Sequence, residues 1–113
     1  MNAKSLSIVI CSVLLSVFLV SSAQAGNAEA GKNKSAACAA CHGADGNGTD
    51  PSYPKLAGQH ADYLEQTLQD YKSGKRNNPI MSGMAAGLTD EDIADLSAYY
   101  ASLDGLKDIS TGK

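Results

Sequence analysis

The sequence predicts an all-α fold with three or more helices and long loops. Segments 60–73 and 90–103 place apolar residues at the 3.6-residue period of an amphipathic helix. Residues that favour helix ends flank these segments. Gly74 follows the first segment and favours a helix C-terminus, and Thr89 precedes the second and favours a helix N-terminus. The two-residue alternation that is typical of strands does not persist over any useful length.

The first 25 residues predict a secretory signal. Lys4 is their only charge, an apolar run of 15 residues spans 6–20, and Ala23-Gln24-Ala25 is a small-x-small cleavage site. The run is short for a membrane span, which needs about 20 residues. We therefore expect cleavage after Ala25, export to the periplasm, and a single mature domain, 26–113, that is not anchored in the membrane.

The mature domain is small and acidic. The whole chain carries a net charge of −3 at pH 7, and loss of Lys4 leaves −4. This balance gives no reason to expect nucleic acid as a partner. The apolar core of an 88-residue domain is marginal, so a disulfide, a metal or a cofactor is expected to add stability.

The elements of the mature chain follow in order. Alanine-rich residues 26–37 predict a short helix, in which Gly31 either weakens the helix or lets another helix come close. Glycines and prolines break 43–59 into a long loop. The helix of 60–73 places five side chains on one face: Tyr63, Leu64, Thr67, Leu68 and Tyr71.

The rest of the chain predicts a second loop and a final helix. Residues 75–88 form the loop, which carries no charge from 77 onward. Thr89 is a good N-cap for the final helix, and acidic residues fill the first turn. The apolar period of this helix is carried by Ile93, Leu96, Tyr100 and Leu103, with Tyr99 beside them.

The motif that carries chemistry is Cys38-Ala39-Ala40-Cys41-His42. Cys11 leaves with the signal, so both cysteines of the mature chain lie in this one CxxCH, the pattern of c-type haem attachment. On a helical turn, Cys38 and Cys41 point the same way and can bond to the two vinyl groups of a porphyrin. His42 can then reach the iron from one face.

Three other interpretations of the motif are weaker. A thioredoxin-like dithiol belongs in a βαβ context, and the sequence predicts no strand. A zinc site needs four ligands, and only His60 would join Cys38, Cys41 and His42. A disulfide between two cysteines three residues apart closes too small a loop to add much stability.

The second axial position of the iron has two candidate ligands. Methionine sulfur is typical of a high-potential haem, and Met81 and Met84 are the only methionines besides Met1. Either side chain could instead fill a gap in the core. Pro79 stiffens the segment just before Met81, which gives that residue a small preference from spacing alone.

Three segments together resemble the small class I bacterial cytochromes c, and in particular one half of the di-haem cytochrome c-four. They are CAACHG, YPKLAGQ and PIMSGMAAGLTDEDIADLSAYYASL. The resemblance implies a cytochrome c-like fold around one covalent haem c, with Met81 rather than Met84 on the iron. It also implies that the Pro54 carbonyl accepts a hydrogen bond from His42, and that Leu96 and Tyr99 pack near Gly31.

We expect an electron carrier rather than an enzyme. The expected donor is a membrane quinol-oxidising complex, and the expected acceptor is a terminal oxidase or a reductase. The alternative is a haem-based gas-sensing module or a subunit of a larger redox complex. An open, reactive iron is less well supported, since 79–88 contains no histidine or arginine for acid–base help.

Overall fold

The computed structural model describes residues 25–107, and these form five helices and no strand. The all-α prediction is therefore confirmed. Of the expected signal, 1–25, all but Ala25 lies outside the described residues. None of the described helices is long and apolar enough to cross a membrane. The helices are α1 (Ala28–Lys34), α2 (Ala36–His42), α3 (Ala61–Ser73), α4 (Pro79–Ala85) and α5 (Asp90–Ser102).

Helices α1 and α5 cross with their backbones in contact at Gly31. A Cβ atom added there would lie 2.0 Å from the carbonyl oxygen of Asp95 and 2.7 Å from the Cβ of Tyr99. Only glycine allows so close an approach, so Gly31 serves helix packing and not merely chain flexibility. At this crossing the two helices pack through van der Waals contact between their backbones rather than through a large side chain.

Charged groups hold the same pair of helices together. The Lys34 ammonium lies 2.7 Å from Asp95 and 2.9 Å from Asp92 on α5. The other carboxylate oxygen of Asp95 accepts the backbone N–H of Asn27 at 2.7 Å. Asp95 is only 4% exposed, so these donors compensate for the loss of water around its charge.

The core lies between α3 and α5. Leu64, Leu96, Tyr99 and Tyr100 form its buried cluster. Partly buried side chains pack against this cluster: Cys38, Leu56, Leu68, Leu88 and Leu103. The buried face of α3 is narrower than predicted, because Tyr63 is 51% exposed. The Arg76 guanidinium beside its hydroxyl lowers the pKa of Tyr63.

The prediction of an uninterrupted loop over 75–88 was wrong between 79 and 85, where α4 forms. The Asn78 side chain accepts the N–H groups of Ile80 and Met81 at 3.0 and 3.1 Å. Pro79, at the first helical position, has no N–H to satisfy and a φ angle that suits a helix. The expected N-terminal helix is also two helices, which Ser35 separates.

The crossing at Gly31 predicts a strong effect of one methyl group. Gly31→Ala should destabilise the haem-loaded protein by about 1–3 kcal/mol, because α1 and α5 must move apart to admit the new atom. Thermal unfolding measures the change. Gly83→Ala is the matched control, since nothing lies within 4 Å of its added Cβ. It should be neutral or stabilise α4 by up to about 1 kcal/mol. Equal effects of the two substitutions would contradict the close crossing.

The carboxylates on α5 predict a loss of stability in acid. The backbone of Thr89 and the Lys34 ammonium lower the pKa of Asp92 to about 2, and Lys34 and the Asn27 N–H lower the pKa of Asp95. A carboxylate with a lowered pKa stabilises the fold above its unfolded value near 3.8, and the contribution disappears as the pH falls towards 2.

Asp95→Asn tests this pH dependence. The variant should unfold more easily than the parent protein at pH 7, and the difference should shrink as the pH falls below the unfolded value of Asp95 near 3.8. Circular dichroism during urea unfolding at each pH measures it. Asp90→Asn removes an exposed charge from the same helix without touching Lys34, and serves as the control. A difference for Asp95→Asn that did not shrink at all between pH 7 and acid would contradict the ion pair as its cause.

Candidate haem-binding site

Helix α2 presents two thiols one turn apart. Cys38 and Cys41 are free and partly buried. Side chains three residues apart lie on the same face of a helix, so both sulfur atoms point to one side of α2. Burial raises the pKa of the Cys38 thiol, and the nearby Tyr100 hydroxyl offsets part of that rise.

His42 is the last residue of α2, and its ring is held in one orientation. The residue is 7% exposed, and its Nδ1 lies 2.8 Å from the carbonyl oxygen of Pro54. A carbonyl oxygen can only accept a hydrogen bond, so Nδ1 carries the ring proton and donates it. In the neutral ring this leaves the lone pair on Nε2, the form in which an imidazole binds a metal.

The loop after α2 folds back onto the end of that helix. Gly48 donates its N–H to the carbonyl of His42 at 2.6 Å, and the backbone and hydroxyl of Thr49 both donate to the carbonyl of Cys41 at 3.0 Å. These bonds satisfy carbonyls that the helix end leaves free. The chain turns away from α2 at Gly43, whose φ of +84° strongly favours glycine.

A second set of hydrogen bonds brings the far end of this loop close to His42. The carbonyl of Gly46 accepts the N–H groups of Leu56 and Ala57 at 2.8 and 2.9 Å. This closure brings Pro54 back beside His42. A shallow concavity of about 430 Å³ lies along the same loop, and residues 47–51 and 53–55 line it.

Tyrosine hydroxyls lie beside both thiols. Cys41 raises the pKa of Tyr53, mainly through a hydrogen bond. Burial and then the neighbouring Cys38 raise the pKa of Tyr100 far above its ordinary value. The hydroxyl of Tyr99 points elsewhere and donates to the carbonyl of Ala44 at 3.3 Å. The periodicity of α5 predicts buried tyrosines but gives no sign of which sulfur they approach.

Both candidate methionines lie on α4, one turn apart. The N–H of Met81 is bonded to the Asn78 side chain, and Met81 is partly buried. Met84 is 40% exposed. The sequence did contain the signal for this helix, since Asn78-Pro79 combines a good N-cap residue with a proline at the first helical position.

The residues fit a covalently bound haem. The two thiols share a helix face, and the histidine keeps one nitrogen free. Only seven apolar residues in 25–107 are buried, while Ile80 is 68% exposed, so apolar surface is left for a large flat ligand to cover. In the same residues, no three side chains of His, Cys, Asp and Glu come together as a metal site, and a zinc site would need four such ligands.

Comparison with known proteins gives the family. Residues 28–104 match the family described as Cytochrome c. Cytochrome c-554(548) of Halomonas halodenitrificans is 53% identical over 81 residues, which cover 69% of this chain and 98% of that protein. Cytochrome c4 of Pseudomonas aeruginosa is 50% identical over 92 residues, 80% of this chain and 46% of that protein.

A solved structure agrees with these sequence matches. The crystal structure of reduced recombinant cytochrome c4 from Pseudomonas stutzeri superposes with a TM-score of 0.69 at 46% identity, and the match covers 73% of this chain and 48% of that one. The chain thus spans about half the length of the cytochrome c4 relatives that it matches.

The chain belongs to the cytochrome c family. Membership implies a covalently bound haem c with its iron, and it makes the chain an electron-transfer protein that works with redox-protein partners. The expected resemblance to one half of cytochrome c4 is confirmed.

The N-cap of α4 predicts a stability effect near the methionines. Asn78→Ala removes the acceptor for two backbone N–H groups and should cost about 1 kcal/mol, within the usual range for a lost cap. Thermal unfolding of the haem-loaded protein measures the loss. Asn77→Ala changes the neighbouring exposed asparagine and should have little effect. An unchanged melting temperature for Asn78→Ala would contradict the cap.

Proposed function

We propose that the chain is a periplasmic mono-haem electron carrier, formed by residues 26–113 after cleavage behind Ala25. The observation that carries the proposal is the arrangement on α2. Two thiols share one helix face, and the next residue is a buried histidine whose Nδ1 is already committed to Pro54. This geometry suits covalent attachment of one haem and leaves Nε2 to bind its iron.

Each residue of the site has a distinct role in this proposal. Cys38 and Cys41 form the two thioether bonds that hold the cofactor, and His42 supplies one axial ligand. The Pro54 carbonyl accepts the Nδ1 proton, which fixes the ring and makes Nε2 a stronger ligand. Met81 supplies the other axial ligand, with Met84 as the second choice, because Met81 is the more buried residue.

Bound haem supplies a one-electron couple, and axial His/Met ligation favours the reduced state and a high potential. The chain contributes rigidity around that couple. Loop N–H groups satisfy the end of α2, and the Asn78 side chain caps the start of α4, so both proposed ligands lie on braced helices. Ligands held in fixed positions would keep the structural change at the site small between the oxidised and reduced states.

The partners that we propose are a membrane quinol-oxidising complex as donor and a terminal oxidase or reductase as acceptor. Small or apolar exposed side chains on and after α4 leave an uncharged surface that another protein can approach closely: Ile80, Gly83, Met84, Ala86 and Gly87. Because small side chains let a partner approach closely, we expect the encounter to be brief and weak.

A second candidate is a subunit of a larger redox complex. A protein of Thiomonas intermedia that is 44% identical over 71 residues is named thiosulfate dehydrogenase electron acceptor. In this role the chain would take electrons from a periplasmic enzyme while bound to it. Stable co-purification with such an enzyme would favour this candidate, whereas a free monomer in the periplasmic fraction would favour the carrier.

Visible spectra of three exported proteins test the axial ligands. The parent protein should show a low-spin, six-coordinate haem in both redox states. Met81→Ala should lose that spectrum and bind carbon monoxide when reduced, because the sixth position opens. Met84→Ala is the matched control one turn away and should keep the parent spectrum.

Other outcomes of these spectra are equally informative. Loss of the six-coordinate spectrum in Met84→Ala alone would move the ligand to Met84 and leave the carrier function in place. A parent protein that is high-spin and binds carbon monoxide readily would contradict the carrier and favour gas sensing. A protein exported without haem would refute the whole proposal.

A further inference from the structure

The hydroxyl of Tyr100 is buried and has no hydrogen-bond partner. Within residues 25–107 only one other buried side-chain oxygen, that of Ser97, shares this property. Tyr100 is 4% exposed, so water does not readily replace a missing partner. A buried hydroxyl is costly without a hydrogen bond, and native proteins seldom keep one. We therefore expect the haem-loaded protein to provide a hydrogen-bond partner for this hydroxyl.

Two polar groups lie near this hydroxyl. Cys38 packs against the buried cluster that contains Tyr100, and each of the two residues affects the pKa of the other. Ser35 also influences the pKa of Tyr100, but its hydroxyl donates to the carbonyl of Lys32 at 2.8 Å, and no hydrogen bond joins it to the Tyr100 hydroxyl. The Cys38 sulfur is the neighbour whose surroundings must change when haem is attached.

We propose that the Tyr100 hydroxyl donates a hydrogen bond to the Cys38 sulfur in the haem-loaded protein. Tyr100 is then a positioning residue, which fixes one of the two attachment points and raises the reduction potential. The inference rests on the proposed function, since it takes Cys38 to be one of the two thioether positions.

The chemistry of the sulfur permits this bond. A thioether sulfur keeps its lone pairs and remains a weak acceptor after the thiol hydrogen is gone. The bond turns the positive end of the hydroxyl dipole towards the sulfur and the ring that it carries. Because reduction adds one electron to the cofactor, a positive end at this place favours the reduced state. Removal of the hydroxyl should therefore lower the potential.

Tyr100→Phe tests the proposal, and Tyr99→Phe is the matched control. Both substitutions remove one hydroxyl from adjacent rings of α5, but the Tyr99 hydroxyl already donates to Ala44. Two measurements on the haem-loaded proteins suffice. The first is the resonance Raman band of the thioether C–S bonds in H₂O and in D₂O. The second is the equilibrium constant for reduction.

The parent protein and Tyr99→Phe should both show a C–S band that shifts in D₂O, since the donated hydrogen exchanges. Tyr100→Phe should lose that shift. Its equilibrium constant for reduction should fall about threefold, which is about 28 mV at 59 mV per tenfold for one electron. If the role of Tyr100 were merely structural, Tyr100→Phe would change neither the isotope shift of the C–S band nor the reduction potential.

Three results would overturn the inference. The first is a C–S band in the parent protein that is insensitive to D₂O. The second is a Tyr100→Phe potential equal to that of the parent. The third is a higher melting temperature for Tyr100→Phe, since removal of an unpaired buried hydroxyl stabilises a protein. A parent protein with no thioether band would refute the proposed function itself, so the two failures are distinguishable.

Discussion

The backbone contact between α1 and α5 at Gly31 is the constraint on which the rest of the structure depends. Only Ser35 separates α1 from α2, so the crossing also fixes where α2 lies and where its two thiols point. Helix α5 then supplies tyrosines beside Cys38 and Ala44. Its Tyr100 carbonyl accepts the N–H of Gly58 at 3.0 Å, which ties the loop to the same frame.

Around this helix crossing, backbone hydrogen bonds rather than packed side chains hold the site together. The end of α2, the return of the loop at Gly46 and the orientation of His42 all rely on N–H and C=O groups. Residues 25–107 bury so few apolar side chains that they have little other means of holding a loop in place. The proposed haem would therefore complete the core as well as supply the redox chemistry.

Local patterns in the sequence predict much of this architecture. Periodicity and caps place α3 and α5 to within one residue at each end, and CxxCH predicts where haem would be attached. Helix α4 was missed because seven residues with a glycine show no clear period, although Asn78-Pro79 marks its start. Tyr63 was misplaced because a period gives the direction of a face but not its width. The approach of Tyr100 to Cys38 joins residues 62 positions apart, which no local pattern reveals.

The central claim is that one haem is bound covalently through Cys38 and Cys41. Mass spectrometry of the intact exported protein, followed by peptide mapping, tests this claim most directly. The account predicts a chain that begins at Gly26 and carries the mass of one haem, all of it on the peptide that contains residues 38–42. A chain of unmodified mass, with both thiols free to react with an alkylating reagent, would contradict it.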